Sequence, residues 1–171
     1  MKYDYKTLYN KNAEWYDSHP TAKEALKLFN IFLSWLFVFG YAVTLVEMVQ
    51  TNALEPRDFA WFLFLPMLCL MLVSIMRLGF DRPRPYSEEG ANIEPLIQKS
   101  GNGKSFPSRH VACAFVIATV ILSHSLLAGI FLLFAAAFLA YIRLAAGLHY
   151  PSDVFVGTGI GLLCGIVIFF I

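Results

Sequence analysis

The sequence predicts an all-α protein, a polytopic membrane helical bundle of about five transmembrane helices with an interfacial helix at its N-terminus. Of its 171 residues, 58% are hydrophobic and 15% are charged, which is more apolar surface than a soluble domain of this size buries. The apolar residues form long runs, and a helix of roughly 18 residues is about 27 Å long, close to the hydrocarbon thickness of a bilayer. We therefore expect residues 1–171 to form a single membrane-embedded domain.

The apolar runs predict the membrane spans in chain order. The third run has a short apolar core, so its helix is expected to begin earlier, near Ser105. A tight turn at 123–125 separates the third run from the fourth. The runs are Leu28–Val46, Phe59–Met76, Val111–Leu127, Leu126–Ile142 and Val154–Ile171.

The segment before the first span, residues 1–27, is predicted to contain a helix that lies in the membrane interface. Aromatic and apolar residues recur there at helical spacing with charged residues between them, which is typical of such helices. Thr21 and Glu24 have the spacing of a capping box, which predicts the start of the first membrane helix. The recurring residues are Tyr5, Leu8, Tyr9, Ala13 and Tyr16.

A long polar loop, residues 78–104, joins spans two and three, and loops of this length are usually functional or disordered. With five spans, the N-terminus, this loop and the connection between spans four and five lie on one side of the membrane. Every Lys and Arg except Arg57 falls on that side, and the bias persists without the candidate site arginines. The positive-inside rule therefore predicts a multi-pass cell-membrane protein whose polar site faces the cytoplasm.

Three short segments hold most of the polar residues expected near the membrane surface, and the predicted topology brings all three to the same face. Facing arginines repel one another unless an anion lies between them, and guanidinium groups match phosphate oxygens bidentately. A serine in the first turn of a helix adds backbone N–H groups that attract an anion. The segments are Arg77-x6-Arg84-Pro85, Phe106-Pro107-Ser108-Arg109-His110 and Arg143-x5-His149-x3-Asp153.

Each of these residues alone has a simpler interpretation, as a snorkelling anchor, an interfacial hydrogen-bonding group or a helix-start residue. The joint pattern instead predicts a catalytic site. We expect His149 to attack phosphorus, Asp153 to orient it, and His110 to protonate the leaving oxygen and then activate water. The scheme implies a phosphohistidine intermediate. No metal and no cofactor are expected, since arginines supply the positive charge.

These segments resemble the three signature motifs of the type 2 phosphatidic acid phosphatase superfamily, over about 77–153. The resemblance implies a helical core, metal-independent hydrolysis and His149 as the nucleophile. It also implies the other site residues, which are Arg77, Arg84, Ser108, His110, Arg143 and Asp153.

The motifs depart from the usual family pattern at three positions. Arg77 stands where lysine is usual, and Ile142, which is expected to face lipid or packing, stands where serine is usual. Arg109 replaces a glycine, so it is expected either to alter the pocket or to contact a second phosphate or a lipid headgroup. Many membrane members also have six spans and a site that faces away from the cytoplasm, whereas only two predicted spans precede the first motif here.

The leading hypothesis is a lipid phosphate or diphosphate phosphatase that works in contact with membrane lipid. Its expected substrate resembles phosphatidic acid, phosphatidylglycerophosphate or undecaprenyl diphosphate. A phosphotransferase with the same site, or a non-enzymatic small membrane protein, is the alternative; the soluble, vanadate-binding haloperoxidase branch of the superfamily is disfavoured. A net charge of +1 argues against a nucleic-acid partner. The oligomeric state stays open, although the spacing of Gly157, Gly161 and Gly165 favours packing within the chain over dimerisation.

The predicted orientation can be tested by placing a cysteine at Lys104 and treating intact cells with a membrane-impermeant thiol reagent. We expect no labelling until the membrane is permeabilised, because the long loop is predicted to be cytoplasmic. Ready reaction in intact cells would reverse the orientation.

Overall fold

The protein is all-helical in the computed structural model, which describes residues 5–51, 55–98 and 103–171. Its helices are α1 (Tyr5–Ser18), α2 (Pro20–Thr51), α3 (Pro56–Gly79), α4 (Arg109–His124), α5 (Leu126–Ala145) and α6 (Pro151–Ile166), and α6 continues into a short 3-10 turn at Val167–Phe169. These described ranges contain no strand, so the all-α fold class is confirmed.

Four helices, α2, α3, α5 and α6 with its 3-10 extension, are long and apolar enough to cross a membrane. Their outer faces expose large apolar side chains such as Trp35, Phe39, Phe134 and Phe155, which water would not tolerate in such numbers. The chain is therefore a membrane protein. The remaining predicted span, α4, has only 16 residues and is the most deeply buried helix.

The centre of the bundle is α4, which packs against α2, α3, α5 and α6. A glycine stripe on α6 makes the closest of these approaches possible. A Cβ at Gly161 would lie 2.5 Å from the Ala112 carbonyl oxygen, and one at Gly157 would lie 2.8 Å from that of Ser108. The predicted small-residue face thus packs within the chain, as expected.

Two predicted helix starts were wrong. α4 begins at Arg109 rather than near Ser105, because Pro107 disfavours helical geometry in the residue before it. The carbonyls of 104, 105 and 107 accept hydrogen bonds from Arg77 instead. α2 begins at Pro20, with the first helical bond accepted by the carbonyl of His19, so Thr21 lies inside the helix and is not its cap.

The predicted N-terminal helix is present as α1, and it is bound to the bundle. The Tyr9 hydroxyl donates to the carbonyl of Glu94 at 2.9 Å and accepts from the N–H of Leu96 at 3.1 Å. Gly147, in the connection between α5 and α6, has a φ of 72°, and a Cβ there would lie 2.7 Å from the Tyr9 ring. α1 therefore packs directly on the connection that carries His149.

The long loop begins at Phe80, slightly later than predicted, because α3 continues to Gly79. It runs to Ser108, with 99–102 outside the described residues. Its two described parts are joined where the N–H of Ser105 donates to the carbonyl of Arg82 at 2.8 Å. The loop is thus held in front of the N-terminus of α4.

Replacing Gly161 with alanine is expected to lower the melting temperature of the detergent-solubilised protein. The new methyl group would meet the Ala112 carbonyl and Phe115 Cβ, at 2.5 and 2.8 Å, and overpacking of this kind costs about 1–3 kcal/mol. Gly159→Ala on the same helix is the matched control, since nothing lies within 4 Å of its added Cβ. Equal melting temperatures for the two variants would contradict the close packing of α4 and α6.

Candidate active site

The polar residues of the three predicted segments meet at one end of the bundle. Arg77 is near the end of α3, Ser108 caps the start of α4, and Arg143 is near the end of α5. His149 lies in the connection from α5 to α6, and Asp153 is in the first turn of α6. Because α3, α5 and α6 all pack around α4, their ends enclose a common space.

Asp153 is the most connected group of the site, and its carboxylate is completely buried. Its Oδ1 accepts from the Arg82 guanidinium at 2.8 Å. Its Oδ2 accepts from the Tyr150 N–H at 2.9 Å and also from the Ser105 hydroxyl. The backbone carbonyl of Asp153 accepts from the N–H of Ser108 at 3.0 Å. This residue thereby ties the loop and the start of α4 to the start of α6.

His149 is buried beside this carboxylate, with Nδ1 3.5 Å from Oδ2 of Asp153. That distance is longer than a hydrogen bond, and Nδ1 has no other partner among the described residues. Burial lowers the pKa of His149 below the ordinary value; the charges of Arg84 and Arg143 act in the same direction, and Asp153 opposes them. The imidazole is therefore neutral at pH 7, with Nε2 as its remaining nitrogen.

Arg143 is almost fully buried, at 2% exposure, and is oriented by α2. Its terminal nitrogen donates to the Ser34 hydroxyl at 3.2 Å, and Ser34 in turn donates to the carbonyl of Asn30 at 2.7 Å. Within the described residues, the Arg143 Nε–H has no acceptor. A buried guanidinium with an open donor is suited to an anion.

Arg84 links the arginines to the histidine. It donates to the carbonyls of Gly103 at 3.1 Å and Leu148 at 3.3 Å, next to His149. Its charge is close enough to interact electrostatically with Arg77, Arg143 and His149. The predicted cationic cluster is therefore centred on Arg84.

Arg77 uses its guanidinium to hold the loop. It donates to the carbonyls of Pro107 at 2.9 Å, Ser105 at 3.4 Å, and Lys104. The sequence predicted contacts to phosphate oxygens for this side chain, whereas here these hydrogen bonds fix the backbone that leads into α4.

The start of α4 presents backbone N–H groups towards the site. Ser108 is the N-cap residue, and its buried hydroxyl has no partner among the described residues. Arg109 and His110 follow in the first turn, and both have exposed side chains. This helix end adds a positive dipole to the arginine cluster. Ile142, in contrast, is fully buried and contributes to packing.

Several residues that support the site were assigned no role from the sequence. Two of them could have been noticed in the sequence. Arg82 belongs to the polar segment Arg82–Pro85, and the Ser34 hydroxyl lies inside an apolar span, which is a recognisable signal. Ser105 and Tyr150 carried no signal, because their contacts with Asp153 depend on the folded loop.

A polar cavity of about 480 Å³ opens beside Arg84, on the loop side of the site. Basic, acidic and hydroxyl groups share its wall, so it suits a ligand with both anionic and hydroxyl groups. Its lining residues are Asp81, Arg82, Pro83, Arg84, Tyr86, Ser87, Glu88, Glu89, Gly103 and Lys104. Across the described part of the chain, no three His, Cys, Asp or Glu residues are grouped to hold a metal ion.

Comparison with known proteins gives matches over this region and beyond. The family model described as the PAP2 superfamily matches residues 58–171, which cover α3 from its third residue and the whole of α4, α5 and α6. The lipid A 4'-phosphatase of Bacteroides thetaiotaomicron is 34% identical over 106 residues, or 59% of this chain and 47% of the relative. The chain thus spans about half the length of this curated relative.

Two solved structures share the architecture. The crystal structure of Aquifex aeolicus LpxE is similar with a TM-score of 0.69 and 30% identity, covering 90% of this chain and 88% of that one. The first transmembrane PAP2-type phosphatidylglycerolphosphate phosphatase of Bacillus subtilis has a TM-score of 0.58 and 20% identity, over 96% and 92% of the two chains. The second likeness is one of fold.

The burial of His149 leads to a prediction that can be tested without a substrate. In an NMR titration of the detergent-solubilised protein, we expect the His149 imidazole to gain its proton only below pH 6.5, because burial disfavours the charged form. A His149→Gln variant identifies its resonance. Titration at or above pH 6.5 would contradict the buried geometry.

Proposed function

Since this chain belongs to the PAP2 superfamily, we propose that it is a membrane lipid phosphatase acting through a phosphohistidine intermediate. One observation carries the proposal. A buried imidazole lies 3.5 Å from a buried carboxylate and within electrostatic reach of Arg84 and Arg143. A neutral imidazole with a carboxylate behind it and guanidinium groups around it suits attack on phosphorus.

In the first step, Nε2 of His149 attacks phosphorus and the bond from phosphorus to the lipid oxygen breaks. Nδ1 faces Asp153, so the carboxylate accepts the Nδ1 proton in a hydrogen bond and stabilises positive charge as it develops on the ring. The 3.5 Å separation leaves room for this hydrogen bond to shorten as charge builds.

His110 gives its proton to the departing lipid oxygen. In the second step it takes a proton from water, and the hydroxide attacks the phosphohistidine, releasing inorganic phosphate and restoring His149. The exposed position of His110 in the first turn of α4 supports this role, because both the lipid oxygen and water must reach it.

Arg84 and Arg143 stabilise the negative charge on the transferring phosphoryl oxygens, together with Ser108 and the N–H groups at the start of α4. The open Arg143 Nε–H and Ser108 hydroxyl support this assignment. Arg77 contributes its charge and holds the backbone before α4 in place. Arg109, which is exposed in the first turn of α4, contacts the substrate headgroup.

We propose a substrate whose acyl chains stay in the bilayer while its phosphate reaches His149 and the rest of its headgroup occupies the polar cavity beside Arg84. The carboxylates of the cavity favour hydroxyl groups, and the 34% identical relative is a lipid A 4'-phosphatase. A lipid A phosphate is therefore the first substrate to test, followed by phosphatidylglycerophosphate, phosphatidic acid and undecaprenyl diphosphate. We further propose that the chain crosses the membrane several times, with the site at the cytoplasmic face.

In a phosphate-release assay with these four lipids in detergent, His149→Ala is expected to lose nearly all activity and remain folded. The matched control is His124→Ala, because His124 lies at the other end of α4 and pairs with Glu47 at 3.6 Å. This control should retain wild-type activity. Full activity in His149→Ala would overturn the nucleophile assignment.

Wild-type activity is expected to survive EDTA and to be blocked by vanadate, which mimics the transferring phosphoryl group. The reason is that arginines, rather than a metal ion, supply the positive charge. Activity that is lost in EDTA and restored by a divalent cation would refute the mechanism.

A further inference from the structure

We propose that Arg82, which lies outside the catalytic residues assigned above, is a positioning residue that aims the Asp153 carboxylate at His149 and offsets its charge. This inference rests on the proposed function. Arg82 sets how strongly the Asp153 carboxylate acts on His149, and it does not change which group attacks phosphorus.

Arg82 makes three contacts with the start of α6. Its Nη1 donates to Oδ1 of Asp153 at 2.8 Å and to the Ser152 hydroxyl at 2.6 Å, and its guanidinium lies 4.2 Å from the centre of the Tyr150 ring. The Arg82 side chain is 37% exposed, whereas the Asp153 side chain is fully buried. Arg82 therefore covers the carboxylate from the loop side.

The second carboxylate oxygen has a separate set of donors. Oδ2 accepts from the Ser105 hydroxyl and the Tyr150 N–H, and it is the oxygen closest to Nδ1 of His149. Ser105 is itself tied to Arg82, because its N–H donates to the Arg82 carbonyl. Arg82 and Ser105 therefore hold the Asp153 carboxylate together. Arg82 binds Oδ1, and this leaves Oδ2 directed at the imidazole.

Charge gives Arg82 a second effect. The groups that act electrostatically on His149 are Asp153, Arg84 and Arg143. Of these, only Asp153 favours the protonated ring, and an adjacent guanidinium weakens that influence. Removing the positive charge at 82 leaves Arg84 and Arg143 in place and strengthens the effect of Asp153. Protonation of His149 then extends to higher pH.

Three variants distinguish the effect of Arg82 on the orientation of the Asp153 carboxylate from the effect of its charge. Arg82→Gln removes the charge and keeps a hydrogen-bond donor, while Arg82→Lys keeps the charge and loses the planar fork. Arg57→Gln is the matched control, since it removes one arginine charge from α3 at the end opposite the site. The measurements are kcat and KM against pH for the most active lipid of the panel, and the NMR titration of His149.

Arg82 also lines the polar cavity, but its guanidinium is engaged by Asp153 and Ser152. For Arg82→Gln we therefore expect kcat to fall by about tenfold or more with KM changed by less than about twofold, since the orientation of the nucleophile is lost rather than substrate binding. The acidic limb of kcat/KM and the His149 titration should both move to higher pH. Arg82→Lys should restore the position of the limb and part of kcat, and Arg57→Gln should match wild type.

Other results overturn the inference. A higher KM with an unmoved acidic limb would make Arg82 a substrate contact, and wild-type behaviour would make its ion pair incidental. If the wild type released no phosphate from any lipid, the proposed function would fail, and the His149 titration would still decide the role of Arg82. An unchanged titration in folded Arg82→Gln would then reject it.

Discussion

The buried carboxylate of Asp153 is the interaction on which the site depends. A charge in such a position is costly unless it is paired and hydrogen-bonded, and here the donors come from separate parts of the chain: the loop supplies Arg82 and Ser105, and the start of α6 supplies the Tyr150 N–H. The same residue binds the start of α4 through its backbone carbonyl. The hydrogen bonds of this one residue therefore fix the relative positions of the loop, the start of α4 and the start of α6. They also fix the surroundings of the His149 imidazole.

Close packing of α4 and α6 makes this arrangement possible. Because the α6 glycines lack side chains, the α6 backbone approaches the carbonyls of α4, and the Ser108 N–H comes within 3.0 Å of the Asp153 carbonyl. A larger separation would break this link and move the helix dipole of α4 away from the proposed phosphate position. The packing of α4 on α6 therefore also sets the geometry of the candidate site. Close contact matters here because lipid gives helices no hydrophobic reason to associate.

Hydrophobic runs and short motifs predicted the helices and the convergence of the segments, because both follow from local periodicity and from where helices end. The sequence placed the start of α4 too early, since a backbone that looks helical by composition is instead bound by Arg77. A hydroxyl inside an apolar span makes Ser34 noticeable, but its contact with Arg143 could not be predicted, because the two residues lie far apart in the chain. The docking of α1 was also missed: its tyrosines suggested lipid, whereas Tyr9 packs on Gly147. The catalytic roles stay predictions until they are measured.

That last contact has a practical consequence for handling the protein. With no side chain at position 147, the aromatic ring of Tyr9 lies against the main chain just ahead of His149, next to the Ile93 side chain. A bulky group joined next to α1 would therefore sit close to the main chain that holds the imidazole. Purification handles belong after the 3-10 turn at Val167–Phe169, which lies at the far end of α6 from the site.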